Sequence, residues 1–128
     1  MEALIEGRRP RVLLVDDDES ILEVVEIAFQ QRGFDVLLAR DGAEALVRAE
    51  RDAPDLIVLD IVMPRRSGLA VLERLRRRHA EFPRIIVVTA NTEPRHEQFA
   101  NQLGADRFLQ KPFEVETLVA EAEALLRA

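Results

Sequence analysis

Five short apolar runs, each followed by a stretch with helical periodicity, constrain this chain more than any other feature. They are RVLLVD (11–16), DVLLA (35–39), DLIVLD (55–60), RIIVVTA (84–90) and DRFLQ (106–110). Continuous runs rich in β-branched residues, without polar alternation, suit strands buried on both faces of a parallel sheet. The first helix is expected over about 19–32, with Leu22, Val25 and Phe29 on one stripe and Gly33 as its C-cap. The second follows Asp41 and turns Ala45, Leu46 and Ala49 inward. The third covers about 67–79 through Leu69, Leu72 and Leu75. The fourth starts near Pro94, a residue suited to a first helical position, and stops before Gly104. In the last, Val115, Leu118, Val119, Ala122, Leu125 and Leu126 recur at helical spacing.

Alternation of this kind through the whole chain implies helices on both faces of a parallel sheet, with right-handed crossovers. Five strands fit the α/β, flavodoxin-like (βα)5 arrangement, doubly wound in the order 2-1-3-4-5. At 128 residues, with no linker or repeat, the chain reads as one domain over 10–128 behind a tail of residues 1–9. There is no cysteine, so disulfides, thiolate catalysis and cysteine-ligated metals are excluded. No apolar run approaches the roughly 18–20 residues of a membrane span, and MEALIEGRRP lacks the apolar core of a secretory signal. A cytoplasmic protein without membrane contact is expected. The net charge of −6 argues against direct nucleic-acid binding, and the run ERLRRRH (73–79) reads as a solvated helix face.

Ligands of such sheets bind beyond the carboxyl ends of the strands, where the strand order reverses. There the first run ends in Asp16 and Asp17, the third in Asp60 and the fourth in Thr89, and the fifth runs into Lys111. Lys111 is the only lysine among many arginines, which singles out a compact, flexible ammonium. Buried carboxylates at strand ends need partners. With His79 and His96 expected at the surface, the donor set is all oxygen, and Mg2+ suits it better than a calcium cage would. Lys111 and the Thr89 hydroxyl would then meet the remaining oxygens of a phosphoryl group, in a site that works by positioning and charge neutralisation. Neither GxxxxGK[ST] nor GxGxxG occurs. An aspartate can attack phosphorus to give an acyl phosphate, and Asp60, ending a central strand, is the best placed.

At this point VDDD after the first run, DLIVLDIVMPRRSG around the third, VVTA at the fourth and LQKPF after the fifth carry a resemblance. In this order and spacing they resemble the receiver domain of two-component response regulators, over roughly residues 10–127. The resemblance implies that Asp60 is the phosphoacceptor, fed from a phosphohistidine on a histidine kinase or phosphotransfer protein. It implies Asp17 as a direct Mg2+ ligand, Asp16 acting through a water, and the backbone carbonyl of Val62 as a further ligand beside Asp60. Thr89 and Lys111 would engage the phosphoryl group, and the Lys111–Pro112 bond would be cis. Phe108 matches the aromatic that turns inward as Thr89 moves, reshaping the face of the fourth helix, fifth strand and fifth helix. Val62 and Asn91 fall where water reaches the acyl phosphate, and an apolar Val62 implies a longer-lived phosphorylated state. A downstream effector protein is implied without being specified, and a phosphorylation-dependent homodimer is compatible with the pattern. The pattern fits a stand-alone regulator or a piece of a longer protein, and the start at Met1 with its short tail leans the expectation toward the first.

Taken singly, several of these residues have plainer readings. Asp18 reads as a helix N-cap rather than a metal ligand. Thr89 alone is a β-branched strand residue, Phe108 a core aromatic, Gly42 turn chemistry, and PRRSG a loop. Two other functions stay open. A magnesium-dependent phosphatase of the aspartyl-phosphate type would carry a second aspartate where Val62 stands. A receiver-like domain that takes no phosphate would have lost site residues, and none is lost here.

Overall fold

A computed structural model describes residues 5, 7–63, 67–90 and 93–127. Strands and helices alternate as β1 (Arg11–Val15), α1 (Glu19–Gln31), β2 (Asp35–Ala39), α2 (Gly42–Asp52), β3 (Leu56–Asp60), α3 (Gly68–Arg78), β4 (Arg84–Thr89), α4 (Pro94–Gln102), β5 (Arg107–Gln110) and α5 (Val115–Arg127). The strands form one parallel sheet in the order β2-β1-β3-β4-β5. This is the flavodoxin-like arrangement that the apolar runs imply.

Side chains alternate across a pleated strand, so each strand feeds two cores. Val12, Leu14, Val58 and Val88 pack with Phe29 of α1 and Leu118 and Ala122 of α5. Leu13, Ile57, Leu59 and Val87 pack on the other face with Ala45 of α2, Leu72 of α3 and Ala100 of α4. Each fully buried leucine or isoleucine of this set contributes about 1.5–3 kcal/mol. Burial on both sides is why the strands read as unbroken apolar runs.

Local signals set the helix starts. Asp18 caps α1, its carboxylate accepting from the Ser20 and Ile21 N–H groups at 2.9 and 3.3 Å. Asp41 caps α2 by accepting from the Glu44 N–H at 2.8 Å, and Ser67 caps α3 from the Leu69 N–H at 3.1 Å. Each satisfies an amide that the first helical turn leaves without a partner.

Three details depart from the expectations. The run ERLRRRH is not uniformly solvated: Arg74, Arg77 and Arg78 are exposed, but the Arg76 side chain is only 8 % exposed and pairs with Asp106 at 2.9 Å. Helical spacing cannot reveal an inward arginine whose stem is apolar and whose head finds buried acceptors. His96 is half-buried, whereas His79 is exposed. Arg8, in the segment assigned to the tail, forks onto the buried Asp55 at 2.7 and 2.9 Å, and the Arg11 N–H donates to the same carboxylate at 2.7 Å. Among the described residues no helix is long and apolar enough to cross a membrane.

Candidate functional site

The carboxyl ends of β1, β3, β4 and β5 open onto one crevice. Asp16 follows β1 and keeps a ladder bond, its N–H donating to the Ala39 carbonyl at 3.1 Å. Asp60 is the last residue of β3, and Thr89, fully buried, is the last of β4. Lys111 follows β5, and its N–H donates to the Thr89 carbonyl at 2.8 Å, extending the pairing into the site. The Lys111–Pro112 bond is cis.

The lysine ammonium bridges two carboxylates. Lys111 Nζ donates to Asp16 Oδ2 at 2.6 Å and to Asp60 Oδ2 at 3.1 Å. The other oxygens are held by backbone: Asp16 Oδ1 accepts from the Asp18 N–H and Asp60 Oδ1 from the Val62 N–H, each at 2.9 Å. Asp16 and Asp60 are 3 % and 4 % exposed, so these contacts are what permit their burial. Asp17 is exposed, contrary to the reading that grouped it with the buried carboxylates. Asp17 lies past the end of β1, in the bend that leads to α1, where its side chain is open to solvent.

Burial raises the Asp60 carboxyl above the usual carboxylate range, and the charge on Asp16 adds to this; the Val62 N–H and Lys111 oppose the rise without cancelling it. Burial alone would lower the Lys111 ammonium, but its bonds to Asp16 and Asp60 outweigh that and raise it. Carboxylate oxygens of Asp16, Asp17 and Asp60 lie within 4.8 Å of one another. Three carboxylates thus face a single ammonium, and the excess negative charge on hard oxygen donors fits a divalent cation such as Mg2+.

Gly68 closes the crevice from the side of α3. A Cβ there would stand 2.4 Å from both the Asp60 carbonyl oxygen and the Ile61 Cα, so only glycine lets the chain pass so close to the aspartate. Its signal in the sequence was the PRRSG loop, read there only as loop; residues 64–66 of it lie outside the described residues. The Val62 amide as an anchor of Asp60 was likewise not anticipated, because backbone donors leave no trace in residue type. The Val62 side chain is 57 % exposed. Phe108 sits half-buried on β5 opposite Val87, packed against the core under α3 and α4. Asn91 lies outside the described residues. Beside Lys111 an apolar hollow of about 410 Å³ opens between α1 and the start of α5, lined by Ile21, Val24, Val25, Pro112 and Phe113 among others.

Residues 12–123 match the family model described as the response regulator receiver domain. The chain is 40% identical over 117 residues to the alkaline phosphatase synthesis transcriptional regulatory protein PhoP of Bacillus subtilis (strain 168), covering 91% of this chain and 48% of that protein. It is 43% identical over 117 residues to response regulator MprA of Mycobacterium leprae (strain TN), covering 91% of this chain and 51% of that protein. The chain therefore spans about half the length of these relatives. Among solved structures, the receiver domain of the Francisella response regulator 1452 superposes with a TM-score of 0.87 at 30% identity, over 93% of this chain and 98% of that one. The Vibrio cholerae chemotaxis protein CheY4 superposes with a TM-score of 0.83 at 34% identity, over 91% and 98%.

Proposed function

The chain belongs to the response regulator receiver domain family, and we propose that it is a phosphoacceptor switch of a two-component system with Asp60 as the acceptor. The observation that carries the reading is the Lys111 ammonium held between Asp16 and Asp60 at the strand ends, with Asp17 alongside. An Asp60 oxygen attacks the phosphorus of a donor phosphohistidine; the P–O bond forms as the P–N bond breaks, and the imidazole leaves with the electron pair. Lys111 shifts from the two carboxylates to a phosphoryl oxygen, and Thr89 offers its hydroxyl to another. Asp17, Asp60 and the Val62 carbonyl would hold Mg2+, with Asp16 acting through a water, and the ion would neutralise the phosphoryl charge. The Val62 and Asp18 amides keep Asp60 and Asp16 oriented throughout.

The phosphorylated site draws Thr89 inward, Phe108 follows, and the face of α4, β5 and α5 changes for a downstream effector protein. The chain is not an enzyme acting on a separate substrate; it catalyses only its own phosphorylation and dephosphorylation. The apolar hollow next to Lys111 gives a histidine kinase or phosphotransfer protein a surface on which to present its phosphohistidine. We take residues 10–128 as the functional domain and 1–9 as its leading segment, acting in the cytoplasm without direct nucleic-acid binding, and able to pair with a second copy on phosphorylation.

Incubation with magnesium and acetyl phosphate, followed by intact-mass measurement, tests this reading. A single phosphoryl adduct, absent from Asp60→Ala, is expected. No adduct in the parent would sink the phosphoacceptor reading, and rapid hydrolysis of unrelated phosphomonoesters would replace it with a phosphatase.

A further inference from the structure

Far from the crevice, the Arg76 guanidinium gathers four acceptors from three segments of the chain. Its Nε donates to the Gly104 carbonyl at 2.8 Å. One terminal nitrogen donates to the carbonyls of Pro83 at 2.7 Å and His79 at 3.4 Å, and the other to Asp106 Oδ2 at 2.9 Å. Asp106 in turn accepts from the Ile85 N–H at 2.8 Å and from Arg84 at 3.4 Å. Gly104, at φ 106°, presses on the arginine stem so closely that a Cβ would stand 2.8 Å from Arg76 Cγ. The node therefore ties the last turn of α3, the entry to β4 and the α4–β5 connection into one body. Ile85 and Thr89 are four residues apart on β4, so the node lies about 13 Å down the strand from the phosphoryl end.

The helix between the two ends is lightly held. Among the described residues of α4, Ala100 alone is buried, whereas α3 buries Gly68, Val71, Leu72 and Leu75 and α5 buries Leu118, Val119, Ala122 and Leu125. Elements with little buried apolar surface open locally at small cost. Phe99, on the same helix, is 53 % exposed. The attachment of α4 thus depends heavily on its C-terminal connection, and that connection runs through the Arg76 fork. A buried guanidinium with several directional bonds resists displacement, because breaking it takes the donor from the Gly104 and Pro83 carbonyls and one of the donors from Asp106.

We propose that Arg76 is a positioning residue that pins the C-terminal end of α4 and the start of β5 to α3 and β4. Modification at Asp60 then moves the α4 end nearest Thr89 and leaves the far end fixed. The second statement rests on the switch reading of the site; the first does not. Hydrogen exchange of the parent, Arg76→Ala and Arg76→Lys, each with and without magnesium and acetyl phosphate, tests both. Without donor, exchange over residues 94–106 rises roughly tenfold in Arg76→Ala, while β1 and β3 keep parent rates. Arg76→Lys falls between, since one ammonium cannot reproduce the planar fork, and it carries the test should Arg76→Ala fail to fold. With the phosphoryl adduct present, exchange changes in the first turn of α4 in the parent but along the whole helix in the variants. Exchange rising evenly over β1, β3 and α4, or unchanged over 94–106 in both variants, overturns the proposal. Failure of the parent to form an adduct would remove the phosphoacceptor reading, and the pinning is then decided by the donor-free comparison.

Discussion

Lys111 and Asp16, 95 positions apart in the chain, form a buried ion pair at 2.6 Å, shorter than the 3.1 Å contact between the same ammonium and Asp60. The lysine is shared, and the acceptor candidate holds the weaker portion of it. Each carboxylate is held from its other side by a backbone amide at 2.9 Å, Asp16 by Asp18 and Asp60 by Val62, so the two differ in their share of the ammonium.

On the proposed reading, the three carboxylates that face one ammonium are expected to make a divalent cation stabilising. Magnesium at about a hundred times its dissociation constant is expected to stabilise the parent by ~2.7 kcal/mol, read as a rise in Tm. Asp17→Asn, at an exposed position, should leave the metal-free Tm near that of the parent and remove most of the rise. A parent Tm indifferent to magnesium would refute the metal reading.

Asp60 should lower stability in the metal-free protein. Burial, then repulsion from Asp16, holds its carboxyl above the ordinary range. A raised folded pKa contributes stability below the ordinary value of about 4 and loses it as pH rises through the folded value. Asp60→Asn is therefore expected to melt above the parent at neutral pH without metal, with the gap closing on acidification. An Asn variant that melts lower at neutral pH contradicts this.

Asp55 has the opposite sign. Burial acts to raise its carboxyl, but the Arg8 fork and the Arg11 amide outweigh burial and lower it. Its stabilising contribution is present above the ordinary carboxylate value and fades as pH falls through the lowered one. Arg8→Ala should cost about 1–2 kcal/mol at neutral pH by urea unfolding, and less in acid. Equal losses at both pH values would show that Arg8 acts by packing rather than charge.

Val62 is an exposed side chain beside the buried Asp60, so substitution there leaves the core untouched. An apolar group cannot orient an attacking water. Val62→Asn should therefore lose its phosphoryl group several-fold faster than the parent, followed by the decay of the intact-mass adduct. A rate unchanged or slower in the variant rejects the idea.

The strands were legible because a sheet covered on both faces leaves unbroken apolar runs, and the site because charge at the end of such a run is costly without partners. Boundaries were the weaker part. Asp16 was read into the first strand, yet it keeps a single ladder bond past Val15. The exposure of Asp17 was hidden because residue type does not show that β1 ends at Val15 and that the chain bends toward α1 there. Arg76 escaped because its acceptors at His79, Pro83 and Gly104 are backbone carbonyls, which residue type does not advertise. The end of α2 at Ala53, in the left-handed region at φ 45°, carries no glycine to announce it.

One further consequence follows from the lysine being the only one in the chain. Apart from the terminal amine, every amine-directed reagent has a single target, and that target sits between Asp16 and Asp60. Its raised pKa keeps it protonated and slow to acylate. Labelling speed at Lys111 becomes a built-in gauge of the site: any event that strips away its carboxylate partners quickens the reaction, and any anion that takes their place slows it.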